Sequence, residues 1–145
     1  MDWLKELYSE VVVSYARDSR YRGRIENAIR EKDMNESCGD EIELYVKVKD
    51  GRVEDASFEG VGCIVSQASA AILIKLIRGK TLEEVKEILE NVGKMAAGRD
   101  FDEEKLGDLV VFSNISEIPQ RSKCFLLAWS VLERIYDRIE REGSS

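Results

Sequence analysis

Glu41-Ile42-Glu43-Leu44-Tyr45-Val46-Lys47-Val48-Lys49-Asp50-Gly51-Arg52-Val53 alternates apolar and charged side chains, then turns sharply. Ile42, Leu44, Val46 and Val48 share one side; Glu41, Glu43, Lys47 and Lys49 share the other, with Tyr45 interrupting the polar set. A period of two is the mark of a half-buried strand. Asp50-Gly51 supplies the two residues that a type I′ turn needs at positive φ, so the next strand returns antiparallel from Arg52. Its apolar parity slips between Val53 and Ala56/Phe58, which is the effect of a bulge. Residues 24–31 are expected to add a third strand.

Helical periodicity lies on both sides of this hairpin. Upstream, Leu4, Leu7, Tyr8, Val11, Val12 and Tyr15 recur at spacings of three and four and predict a helix over 3–17. Downstream, Gly60-Val61-Gly62-Cys63 ends the sheet, and residues 64–78 read as a largely buried helix stopped by Gly79. Thr81-Leu82-Glu83-Glu84 has the form of a capping box, opening a helix expected to reach about Val92. Residues 93–118 are the least periodic and are expected to be a connector with short helical pieces. After Pro119, the only proline, a long amphipathic helix carries Cys124, Leu127, Ala128, Val131, Leu132, Ile135, Tyr136 and Ile139, and gives way to a solvated tail from Glu140. The expectation is an α+β fold: a small antiparallel three-stranded sheet packed with about five helices, in a single domain over 1–145.

The 145 residues are enough to bury a core without staples. A net charge of −7 argues against a general nucleic-acid binder, because neutralising phosphates requires clustered positive charge. Arg17, Arg20, Arg22 and Arg24 are the local exception, read as a solvated face or a protein-docking patch. The 35% charged content suits the ion-pair networks of thermophilic proteins. No apolar run approaches the ~20 residues needed to span a bilayer, and the N-terminus lacks the pattern of a cleaved leader. Three cysteines cannot close into intramolecular bridges alone, which favours reduced thiols or metal ligation and points to the cytoplasm.

Each of those cysteines has a distinctive setting. Cys38 and Asp40 flank Gly39 in one loop, where a sharp backbone path can turn a thiolate and a carboxylate towards one ion; the alternative is an ordinary loop of turn-forming residues. Cys63 stands at a strand-to-helix junction, where the helix macrodipole favours a thiolate; the alternative is a small core residue beside Ile64 and Val65. Cys124 follows Lys123 and lies near Arg121, cations that favour a thiolate; otherwise it packs with Leu127 and Ala128 while the cations reach into water. Together, three thiolates and one carboxylate make a tetrahedral set suited to Zn²⁺ or to the iron of an iron–sulfur cluster. No Cys-x-x-Cys knuckle is present, and the absence of histidine removes the usual base of a cysteine hydrolase.

Three segments carry a family resemblance in the same order. Asn35-Glu36-Ser37-Cys38-Gly39-Asp40 is similar to an Asn-Pro-x-Cys-Gly-Asp loop, Gly60-Val61-Gly62-Cys63-Ile64-Val65-Ser66-Gln67-Ala68-Ser69 to a glycine-flanked second cysteine and its helix, and Arg121-Ser122-Lys123-Cys124-Phe125-Leu126-Leu127-Ala128-Trp129 to a third cysteine segment. Over almost its whole length the chain resembles the IscU/SufU (NifU N-terminal-like) iron–sulfur cluster assembly proteins. Lys123 stands where the IscU branch has histidine, and the 61-residue separation of Cys63 and Cys124 is longer than that branch uses, so the resemblance is closer to the SufU branch. Glu36 replaces the loop proline, and Ser14, Ser19 and Tyr21 depart from the family's N-terminal His, Pro and Asn.

The resemblance implies a scaffold on which Cys38, Asp40, Cys63 and Cys124 hold a transient [2Fe–2S] cluster. Its sulfur would come from a cysteine desulfurase and the cluster would pass to apo-proteins. The SufU branch implies an alternative, a zinc-dependent sulfurtransferase in which Zn²⁺ occupies the same residues and one of the three cysteines accepts persulfide sulfur. Glu117-Ile118-Pro119-Gln120 does not match the Leu-Pro-Pro-Val-Lys segment that engages an Hsp70-type chaperone, so that partner is not expected.

Overall fold

A computed structural model describes residues 9–142. The hairpin forms as its sequence dictates: β2 (Asp40–Lys49) and β3 (Arg52–Val61) pair antiparallel around Asp50 at φ 54° and Gly51 at φ 72°. The register jumps from Lys47↔Asp55 to Val48↔Val53, leaving Glu54 as the extra residue of the expected bulge. Below that bulge Ile42, Leu44, Val46, Ala56 and Phe58 share the buried face.

The third strand lies further along than expected. β1 is Ile29–Asn35, paired antiparallel with β2 in the sheet order β1-β2-β3, and residues 24–28 precede it. Its inner face escaped the apolar pattern because it is charged: Glu31 and Asp33 meet Arg138 at 3.1 Å and Arg134 at 3.2 Å on the last helix. The segment before β1 instead edges β3, with Gly23 N–H donating to Phe58 O.

Of the arginines read as a solvated face or a docking patch, Arg17, Arg20 and Arg24 are exposed, as a solvated face requires. Arg20 pairs with Asp18 and Arg24 with Glu59 at the surface. Arg22 turns inward, donating to Ala16 O and Gln67 Oε1 over the Phe58 ring.

Five α-helices are present among the described residues. α1 (Glu10–Arg17) is capped by Ser9 and buries Val12 and Ala16. Val11, expected in the apolar stripe, is 46% exposed, and Leu4, Leu7 and Tyr8 lie outside the described residues. α2 (Ile64–Ile77) is buried on nearly every side, as a helix apolar around its whole circumference must be, and Gly79 at φ 78° ends it. α3 (Leu82–Ala96) opens with the capping box, Glu84 N–H on Thr81 Oγ1 and Thr81 N–H on Glu84 Oε1. It continues through Gly93, past the expected end at Val92, because Met95 is still a core residue.

The connector holds α4 (Glu103–Leu106) and short 3₁₀ turns that bury Leu106, Leu109, Phe112 and Ile115. α5 (Pro119–Glu142) then crosses the sheet beside α2. It includes Ile139, buried as expected, and extends to Glu142 over the first residues of the expected tail, where Glu142 pairs with Arg138 and the side chains stay exposed. One continuous apolar cluster joins the sheet to the helices. No helix among the described residues is long and apolar enough to cross a membrane.

Candidate metal centre

Antiparallel pairing sends the β1–β2 turn and the end of β3 to the same edge of the sheet, since Asn35 opposes Asp40 and Glu41 opposes Val61. Cys38 sits in that turn, Asp40 opens β2, and Cys63 caps α2 two residues after β3. α5 enters at the same end and brings Cys124 in its second turn. Topology therefore gathers residues that are remote in sequence.

The turn is closed by Asn35. Its carbonyl accepts from Cys38 N–H at 3.2 Å and Gly39 N–H at 2.8 Å, and its Oδ1 accepts from Ser37 Oγ. Gly39 adopts φ 73°, the left-handed conformation that lets the chain double back between Cys38 and Asp40. Cys38 is exposed, whereas Asp40 and Cys124 are fully buried.

Sγ of Cys38 and Sγ of Cys124 are 3.4 Å apart, and donor atoms of Cys38, Asp40 and Cys124 all lie within 4.8 Å of one another. Zn–S bonds of about 2.3 Å place two tetrahedral thiolates about 3.8 Å apart, so this pair needs to open by only a few tenths of an ångström to admit an ion. Asp40 Oδ1 accepts the Cys63 amide at 2.9 Å, while Oδ2 is buried with no hydrogen-bond partner among the described residues. A buried carboxylate oxygen left without a donor is costly. The soft thiols and this open oxygen fit a thiophilic divalent ion or a cluster iron.

Cys63 is adjacent but outside that close group. It is half-buried, its thiol lies 3.9 Å from Ser66 Oγ, and Ser66 in turn donates to Cys63 O. Of the two settings considered for Cys124, the structure shows the apolar one: the thiol is fully buried. Burial pushes its thiol up, while Lys123 stays at the surface.

Sequence reasoning missed the layer beneath. Ser69, fully buried on α2, donates to Phe125 O at 2.7 Å and accepts from Trp129 Nε1 at 3.0 Å, tying α2 to the turn of α5 that follows Cys124. Phe125 also packs against Phe112 of the connector, with ring centroids 5.0 Å apart. The available signal was Ser66 and Ser69, hydroxyls three residues apart in an otherwise apolar helix.

Comparison with known proteins identifies the family. Residues 7–125 match the NifU-like N terminal domain. The chain is 45% identical over 138 residues to the iron–sulfur cluster assembly scaffold protein IscU of Thermotoga maritima, covering 94% of this chain and 97% of that protein. It is 35% identical over 132 residues to the zinc-dependent sulfurtransferase SufU of Bacillus subtilis, covering 90% of each. The crystal structure of FiSufU from Fervidobacterium islandicum AW-1 superposes with a TM-score of 0.84 at 42% identity, covering 89% of this chain and 96% of that one. A NifU-like N-terminal structure from Brucella abortus shares the fold, with a TM-score of 0.86 at 20% identity over 96% of this chain and 98% of that one. This chain belongs to the NifU-like N-terminal domain family, with IscU and SufU proteins among its relatives.

Proposed function

We propose that this protein is a scaffold for iron–sulfur cluster assembly, with Cys38, Asp40, Cys63 and Cys124 holding the growing [2Fe–2S] cluster as cargo. The observation that carries the reading is the convergence of the Cys38 and Cys124 thiols, 3.4 Å apart, on a buried carboxylate with one open oxygen. A thiolate set with one oxygen donor binds iron through three soft ligands and one weaker, harder one. That asymmetry suits a cluster which must later leave. Exposure of Cys38 gives a cysteine desulfurase and recipient apo-proteins access to the site from the β1–β2 turn. Three free thiols suit the reducing cytoplasm, where we place the protein.

A second reading is supported by Lys123, by the long separation of Cys63 and Cys124, and by similarity to a zinc-dependent sulfurtransferase. Here Zn²⁺ would be held by the same four residues. A cysteine released from the ion would attack the outer sulfur of the desulfurase persulfide. One S–S bond breaks as another forms, the desulfurase thiolate leaves, and no electrons are exchanged.

Anaerobic purification with metal analysis and visible absorption separates the two. The sample is then incubated with a cysteine desulfurase, cysteine, ferrous iron and a thiol reductant that converts sulfane sulfur to sulfide. Growth of charge-transfer bands supports the scaffold. Tight zinc that resists iron, with persulfide on one cysteine, supports transfer. A protein that takes up neither zinc nor iron contradicts both.

A further inference from the structure

Gly62 occupies φ 146°, and a Cβ built there would lie 2.2 Å from Asp40 Oδ1, 2.9 Å from Asp40 Cγ and 2.8 Å from Ser66 Oγ. Gly39 and Gly51, by contrast, face open space, and Gly60 is constrained by the Glu41 backbone of the neighbouring strand. Gly62 alone of these four is pressed against a candidate ligand. A group added at Gly62 meets the carboxylate at its seat, since Asp40 is fully buried with Oδ1 on the Cys63 amide.

We propose that Gly62 is a positioning residue for the metal or cluster site: its missing side chain lets Asp40 rest one oxygen on the Cys63 amide and present the other to the ion. The inference rests on the reading of Asp40 as a ligand given above. One carboxylate then orients two parts of the site at once, its own free oxygen and the first turn of α2 that bears Cys63. Outer contacts that aim a ligand typically govern metal affinity by about 10- to 100-fold. A methyl group at position 62 would drive the carboxylate off its seat while leaving all four candidate ligands chemically intact.

A substitution at φ 146° also strains the backbone, and a double-mutant cycle separates that strain from the contact with Asp40. Gly62→Ala, Asp40→Gly and the double variant are compared in two ways: hydrogen exchange of the Cys63 amide in metal-free protein, and zinc affinity by chelator competition. Gly62→Ala is expected to speed Cys63 exchange about tenfold or more and to weaken zinc about 10- to 100-fold. In the Asp40→Gly background, where only the backbone strain and the Ser66 contact remain, the same substitution is expected to have a several-fold smaller effect on both quantities. Equal effects in both backgrounds, or a Gly62→Ala variant with native exchange and affinity, overturn the proposal. Should Gly62→Ala fail to fold, a folded double variant with the zinc affinity of Asp40→Gly supports it. Failure of both to fold assigns the effect to the backbone and overturns it. A native protein that takes up neither zinc nor iron defeats the ligand reading alone, because the amide measurement still decides whether Asp40 is seated by Gly62.

Discussion

Ser69 joins two helices through one hydroxyl, buried between the α2 turn after Cys63 and the α5 turn after Cys124. Removing it leaves the Trp129 indole N–H without its acceptor in an apolar interior, a loss of about 1–3 kcal/mol. Ser69→Ala should lower the unfolding free energy by that amount, moving the urea midpoint down without changing the denaturant slope, and in a Trp3→Phe background should shift Trp129 emission. An unchanged midpoint would contradict the role. Asp40 invites a different experiment. Its open Oδ2 makes it the hard, exchangeable member of the proposed set, so Asp40→Ala should lengthen cluster retention on a scaffold and weaken zinc in a sulfurtransferase. Visible decay of the reconstituted cluster and chelator competition for zinc read the two outcomes; no change in either would remove Asp40 from the site.

Elements were legible wherever burial wrote an apolar period. The β2–β3 hairpin, its bulge, the buried α2 and the capping box of α3 all follow from side-chain spacing and turn chemistry. β1 was displaced because its inner residues are Glu31 and Asp33, which reach the core side only through Arg138 and Arg134. Pairs this exposed contribute about 0.2–1 kcal/mol each, so replacing both arginines by alanine should cost at most about 2 kcal/mol, with the difference shrinking at high salt. Hydrogen exchange should show the loss first in the β1 amides. At α3, the Thr81 amide and then its hydroxyl hold the Glu84 carboxyl below its usual value. The folded value lies below the unfolded one, so this stabilisation is full above about pH 4.5 and fades as pH falls through the depressed value. Glu84→Gln keeps the hydrogen bonds and should flatten that part of the Tm–pH curve, whereas Thr81→Ala should cost about 1 kcal/mol at neutral pH.

For the whole molecule, the sequence carried the identity of the candidate ligands but not their support. Thiols and an acid beside glycines are local signals; a serine bridging two helices and a connector ring against Phe125 exist only once the chain has folded. The same three-dimensional character gives the site leverage over stability. An ion held by the β1–β2 turn, the start of α2 and the second turn of α5 ties together segments separated by most of the chain, and the unfolded chain offers no preformed equivalent. Ligand present at a hundred times its dissociation constant stabilises by about 2.7 kcal/mol. For a domain of this size that corresponds to a rise in Tm on the order of 5–10 °C. Stripping the protein with a chelator should therefore lower Tm by that amount, and adding back zinc should restore it. Cys124→Ser should remove most of the response, because its sulfur is the only thiol that α5 contributes. Equal Tm for stripped and zinc-loaded native protein would show that the three segments do not share an ion.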